Sequence, residues 1–86
     1  MEDMNITKEL DICSEYKKDN DIYIKDYRLK KDIKLIKGKL SDLNEWYYKS
    51  EGLGDLLGVC RSFVNDIDNI VIVKYSNKYA IGVKNN

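Results

Sequence analysis

The sequence predicts a small α+β domain, in which a helical part is followed by a C-terminal β-hairpin. Apolar residues recur at helical spacing through most of the first two thirds of the chain, which indicates amphipathic helices. Near the C-terminus, residues 70–75 and 79–83 are β-branched and aromatic, and they flank the short polar segment 76–78. This pattern predicts a hairpin. A length of 86 residues fits one domain.

The segment 1–40 is predicted to be helical or extended, and its residues indicate no role. Ile6, Leu10 and Cys13 follow a helical period, which predicts a helix over residues 5–18. Residues 17–21 form a polar break after it.

A longer apolar stripe steps by four and three residues through Leu29, Ile33, Ile36, Leu40, Leu43 and Tyr47. It favours one helix over residues 28–49, with heptad-like spacing. The alternative is a strand at 31–37, where Ile33 and Leu35 alternate with lysines, and then a helix with Ser41 as its N-cap. Both readings make residues 42–49 helical.

The run from residue 54 to residue 67 has the spacing of two short helices joined by a tight turn. Each helix places an apolar pair on one face, Leu53 with Leu57 and then Val64 with Ile67. Gly58 lies between the pairs, where glycine adopts positive φ at little cost and ends a helix. Val59 is expected to fill the corner. The segment 41–84 is therefore predicted to be a helix-turn-helix plus the hairpin.

The segment 57–65, Leu-Gly-Val-Cys-Arg-Ser-Phe-Val-Asn, resembles the turn and recognition helix of bacterial and phage repressors, where Leu-Gly-Val-Ser-Arg-Ser-x-Val is common. With the hairpin behind it, the segment 49–84 is similar to phage Cro-type and winged helix-turn-helix repressors, whose hairpin is wing-like. The resemblance implies a small transcriptional regulator of a phage or mobile element. Its recognition helix, about residues 60–68, would lie in the major groove of double-stranded DNA, and a homodimer would bind paired half-sites.

The resemblance also implies a set of DNA-contacting side chains. Arg61 is suited to guanine and Asn65 to adenine, each through two hydrogen bonds. The other implied contacts, to phosphates or base edges, are Ser62 on the helix and Lys74, Asn77 and Lys78 on the hairpin.

Charge is unevenly distributed along a chain whose formal net charge is zero. The segments 1–16, 17–39, 40–58 and 59–86 carry net charges of −4, +5, −3 and +2. A basic block can face phosphates or be a solvated surface. The alternative function is therefore a protein-binding inhibitor or adaptor of phage or plasmid origin, such as an anti-defence protein. It would bind a host protein and keep the helix-turn-helix only as a scaffold.

Residues that carry chemistry are scarce. The chain has no histidine, which is the usual general base and the commonest metal ligand. The two cysteines, Cys13 and Cys60, are far apart in the sequence and form no zinc-binding motif. Their spacing indicates reduced thiols in a cytoplasmic protein. We therefore expect no enzymatic activity, no metal and no cofactor. The polar N-terminus is unlike a secretory signal, and no apolar run approaches the roughly 20 residues of a membrane span.

Overall fold

The fold is that of a computed structural model, which describes residues 13–27 and 29–84. One six-stranded mixed sheet and one α-helix, α1 (Leu53–Val64), form most of it. The strands are β1 (Cys13–Lys18), β2 (Asp21–Asp26), β3 (Ile33–Lys37), β4 (Glu45–Ser50), β5 (Ile70–Tyr75) and β6 (Lys78–Val83). A short 3₁₀ helix, Leu40–Asp42, precedes β4.

The strand order across the sheet is β1-β2-β3-β5-β6-β4. All neighbours are antiparallel except β3 and β5, which are parallel. Two tight turns close the hairpins β1–β2 and β5–β6. Their central residues, Asp19-Asn20 and Ser76-Asn77, all have positive φ, as in the type I′ turns that match the twist of paired strands.

Two crossovers on opposite faces of the sheet connect its parallel strands. The chain leaves β3, crosses one face through the 3₁₀ helix, and enters β4 at the far edge. It then returns through α1 on the other face and enters β5 beside β3. In the part of the chain that is described, no helix is long and apolar enough to cross a membrane.

The main core lies between the sheet and α1. The helix contributes Leu56, Leu57, Cys60 and Val64, which meet Ile24, Ile33, Leu35, Ile72 and Ile81 of the sheet. A smaller cluster on the opposite face packs Leu43 against Val73 and Ala80. Strand β5 is therefore buried on both faces of the sheet. Its unbroken run of apolar residues is typical of such a strand.

The predicted helix-turn-helix is wrong, because α1 continues unbroken from Leu53 to Val64. Gly58 lies within it, and no glycine among the described residues has positive φ. One continuous apolar stripe explains the result, and it consists of Leu53, Leu56, Leu57, Cys60 and Val64. Burying each large apolar side chain contributes about 1.5–3 kcal/mol, whereas an internal glycine costs only about 1 kcal/mol. Val59, expected in the corner, is 48% exposed.

The helical interpretation of the N-terminal half is also wrong where the structure describes it. Residues 13–18, the end of the predicted helix 5–18, form β1, and residues 5–12 lie outside the described part. The long helix over 28–49 is replaced by β3, the 3₁₀ helix and β4. The alternative strand at 31–37 agrees with β3, but the helix that was to follow it does not form.

The C-terminal hairpin agrees with its prediction. Its strands are Ile70–Tyr75 and Lys78–Val83. It is part of the central sheet rather than a projecting wing, because β5 also pairs with β3 and β6 with β4.

Gly82 gives a direct test of this packing. An added Cβ would strike the carbonyl oxygen of Glu45 and lie 2.7 Å from the Cα of Trp46, because the β4 backbone passes directly over it. We expect Gly82→Ala to lower the free energy of unfolding by about 1–3 kcal/mol. Gly54→Ala is the matched control, since nothing lies within 4 Å of its Cβ position. It should stabilise the helix by about 0.5–1 kcal/mol.

Urea denaturation of both variants would measure these changes. Similar, small effects at the two positions would show that β4 does not pass over Gly82.

Candidate functional site

The sheet face opposite α1, here called the open face, carries a continuous row of residues across all six strands. The row follows from the strand register, in which each member lies beside the next. In spatial order it consists of Tyr16, Tyr23, Lys34, Val71, Gly82 and Trp46. We call it the aromatic row. With strands about 4.8 Å apart, it extends roughly 24 Å.

Aromatic side chains occupy both ends of this row. The rings of Tyr16 and Tyr23 stack, with centroids 5.7 Å apart and an interplanar angle of 20°. At the far edge, Trp46 is 44% exposed, and Tyr16 is 37% exposed. Both ends of the row therefore present ring surface to solvent.

A β-bulge in β4 gives Trp46 its orientation. The register shifts between Trp46 and Tyr48, so Trp46 and Lys49 share the open face although they are three residues apart. The Nζ atom of Lys49 lies 4.7 Å from the centroid of the Trp46 ring, within the range of a cation–π interaction. Tyr47 turns to the other face, where its ring meets Phe63 of α1 edge-on at 5.6 Å.

The crossover from β3 to β4 covers the neighbouring row and the middle of the aromatic row, where Val71 packs against the same cluster. Leu43 buries Val73 and Ala80, with Leu40 and Ile36 at the margin. Within the aromatic row, Gly82 is buried beneath the β4 backbone, while Trp46 at the edge stays partly exposed.

The open face is basic. By register its lysines are Lys18, Lys25, Lys34, Lys49 and Lys78. Carboxylates also lie near them, and Glu51 lines a shallow cavity together with Lys49 and Lys78. Asp21 is 3.6 Å from the ammonium of Lys34, and Asp32 accepts a hydrogen bond from the hydroxyl of Tyr16. That hydrogen bond to Asp32 is the main cause that raises the pKa of Tyr16.

The segment that contains α1 is acidic by contrast. Residues 51–69 carry four carboxylates against Arg61 alone. By register, however, Lys37 and Lys74 also leave the sheet on the face that α1 covers. An anionic ligand would approach the open face and be repelled by the helix.

The DNA-contacting residues predicted from sequence fall into two groups at opposite ends of the fold. Lys74, Asn77 and Lys78 lie together around the β5–β6 turn. Arg61 and Ser62 are exposed near the end of α1, which leads to the beginning of β5 rather than to its turn. One flat surface does not bring both groups together.

Asn65 has a structural role in the described fold. It is the C-cap residue of α1. Its Oδ1 accepts a hydrogen bond from the backbone N–H of Lys30 at 2.8 Å, and its Nδ2 donates to the carbonyl oxygen of Arg61 at 3.3 Å. Lys31 adds a hydrogen bond from its Nζ to the carbonyl oxygen of Ile67 at 2.9 Å. Asn65 thus fastens the β2–β3 loop to the end of the helix.

Groups suited to catalysis are not assembled in the described residues. The thiol of Cys60 is fully buried, and burial raises its pKa to about 11, so it stays protonated at neutral pH. No group of three potential metal ligands occurs in residues 13–27 and 29–84. The open face offers aromatic rings and ammonium groups, which can contact a ligand through stacking and through charge.

The sequence-based prediction missed Tyr16, Tyr23 and Trp46. For β2 a signal was present, because Ile22 and Ile24 alternate with Tyr23 and Lys25 at the period of a strand. For Trp46 no such signal existed, since the bulge that turns it to the open face depends on pairing with β6.

No family model matches the chain, and no curated protein or solved structure shows significant similarity to it. The geometry of the open face therefore carries the evidence for function.

Replacing Asn65 distinguishes its structural role from the predicted base contact. We expect Asn65→Ala to lower the free energy of unfolding by about 0.5–1.5 kcal/mol through loss of its hydrogen bonds. Ser62→Ala, at an exposed position on the same helix, should change it little. Thermal unfolding would measure both changes. Unchanged stability in Asn65→Ala, with lost binding to duplex DNA, would contradict the structural role.

Proposed function

We propose that this chain binds single-stranded nucleic acid, with the strand crossing the open face along the aromatic row. The observation that carries the proposal is the row itself. It has stacked tyrosines at one end, an exposed tryptophan at the other, and Lys34 between them. Proteins that bind single strands without sequence preference combine aromatic stacking platforms with a basic path for the phosphates.

The shape of the surface favours unpaired bases over a duplex. A ring stacks on a base only when the face of that base is accessible, and in a duplex the neighbouring base pairs cover it. The open face is broad, and its exposed rings lie on strands rather than on a protruding helix. The proposal keeps the nucleic-acid class predicted from sequence and assigns binding to the sheet instead of a recognition helix.

The charges of the two faces support the same orientation. Five lysines of the open face would contact phosphates, while the carboxylates around α1 would keep the helix away from them. In this proposal the protein is a cytoplasmic binding protein without catalysis, metal or cofactor.

An acidic protein surface is the second candidate ligand. The lysines of the open face favour an acidic protein as much as a nucleic acid, since they would pair with carboxylates as well as with phosphates. It would make little use of the stacked rings of Tyr16 and Tyr23, so the contribution of the rings to binding distinguishes the two ligands.

The fluorescence of Trp46, the single tryptophan of the chain, would report binding directly. An oligothymidine of about 16 nucleotides, the upper site size of one small domain, should quench it by stacking. The logarithm of the binding constant should fall with the logarithm of salt concentration, with a slope of roughly −0.7 for each phosphate neutralised. A sulfated polysaccharide, which has charge but no bases, should leave the fluorescence nearly unchanged.

Two charge reversals complete this experiment. Lys25→Glu on the open face should weaken binding at least about tenfold, or 1.4 kcal/mol. Arg61→Glu, which changes net charge equally on the helical side, should have a much smaller effect. If Arg61→Glu is the more harmful, the ligand binds the helix as the sequence predicted. If oligothymidine does not bind at about 50 mM salt, the proposal is wrong.

A further inference from the structure

A shallow cavity lies where the parallel strands β3 and β5 end, away from the aromatic row. Its volume is about 410 Å³. The residues that line it are Lys37, Gly38, Lys74, Tyr75, Ser76 and Asn77. Four of them belong to the end of β5 and the turn that follows, and the other two end or follow β3.

The two lysines of this cavity form an unusual pair. Lys37 and Lys74 are direct neighbours in the parallel register, so their side chains leave the sheet on the same face. Both are exposed. Among the described residues, no carboxylate forms an ion pair with either ammonium. Like charges placed directly opposite on adjacent strands are destabilising, and an anion bound between them would remove that cost.

The turn between β5 and β6 adds polar groups at a fixed position. Ser76 and Asn77 have φ values of 45° and 64°, and the strands pair up to Tyr75 and Lys78 on either side. The turn therefore has little conformational freedom. Ser76 and Asn77 line the same cavity as the two lysines, and their hydroxyl and amide groups are of types that can donate hydrogen bonds to an anion.

One carboxylate lies close by. Asp42 lies against Gly38, whose missing Cβ leaves room for it. Its Oδ2 accepts a hydrogen bond from the backbone N–H of Lys39 at 2.9 Å. This hydrogen bond partly offsets the negative charge of Asp42, but the carboxylate would still repel an anion bound in the cavity. Its replacement should therefore strengthen binding.

We propose that this cavity is a phosphate-binding site. Lys37 and Lys74 supply the positive charge, and Ser76 and Asn77 donate hydrogen bonds to phosphate oxygens. The ligand is a phosphate group with free oxygens, either inorganic phosphate or the terminal phosphate of a nucleic-acid strand. The site stands apart from the aromatic row and does not depend on the function proposed for it.

Calorimetric titration of the full chain with inorganic phosphate, at constant ionic strength, tests the site. Wild type should bind phosphate in a saturable manner. The double variant Lys37→Gln/Lys74→Gln should bind at least about tenfold more weakly, because two charge-assisted contacts are lost. The double variant Lys30→Gln/Lys84→Gln loses the same charge at the opposite end of the sheet and should bind like wild type. Asp42→Asn, which keeps a hydrogen-bond acceptor, should bind more tightly.

Two outcomes would overturn this proposal. One is the absence of saturable phosphate binding by the wild type, and the other is an equal loss in the two double variants. If phosphate binds, oligonucleotides with and without a 5′-phosphate identify the source of the ligand. A preference for the phosphorylated strand that disappears in Lys37→Gln/Lys74→Gln assigns the site to a strand end, and equal affinities assign it to free phosphate.

Discussion

The burial of β5 on both faces is the constraint on which the rest of the fold depends. Ile72 and Val73 are adjacent, point to opposite faces, and are both fully buried. A strand with this pattern needs cover above and below the sheet. Strands β3 and β6 flank it, α1 covers one face, and the 3₁₀ connection with Leu43 covers the other.

The two covers are unequal, and the functional proposal follows from that inequality. The twelve residues of α1 close one face, whereas the 3₁₀ connection is short and covers Val73, Ala80 and part of Val71 on the other. The two ends of the aromatic row, at Tyr16 and Trp46, stay accessible. Five lysines lie on this face by register, whereas the segment that contains α1 is acidic. The proposed anionic, ring-bearing ligand would use both the exposed rings and these lysines.

The sequence predicted local features better than connections between distant segments. The β5–β6 hairpin was predictable because its strand pattern and polar turn lie within fourteen consecutive residues, 70–83. The helix α1 was predicted only in part. Gly58 was predicted to end a helix. The apolar stripe instead continues past it, and the free energy gained by burying the stripe outweighs the cost of a glycine inside a helix. The apolar stripe from Leu29 to Tyr47 caused the largest error, the predicted helix over residues 28–49. Its members lie on several elements and on both faces of the sheet. Spacing alone does not show that Ile33 and Ile36 point in opposite directions.

The aromatic row had no counterpart in the sequence-based prediction for the same reason. Its six members come from six strands, and only the register brings them together. Tyr23 was recognisable as an outward-facing residue of a strand, but its neighbours Tyr16 and Lys34 were assigned to helices. The Arg61 and Asn65 assignments depended on a recognition helix, and the continuous α1 removes the turn that would position one.

Amide chemical-shift mapping by NMR, with a single-stranded oligonucleotide added to the labelled chain, tests the central claim most directly. We expect the largest changes along the aromatic row, at Tyr16, Tyr23, Lys34 and the indole N–H of Trp46, while α1 is little affected. Changes concentrated at Arg61, Ser62 and Asn65, with the row unperturbed, would contradict it.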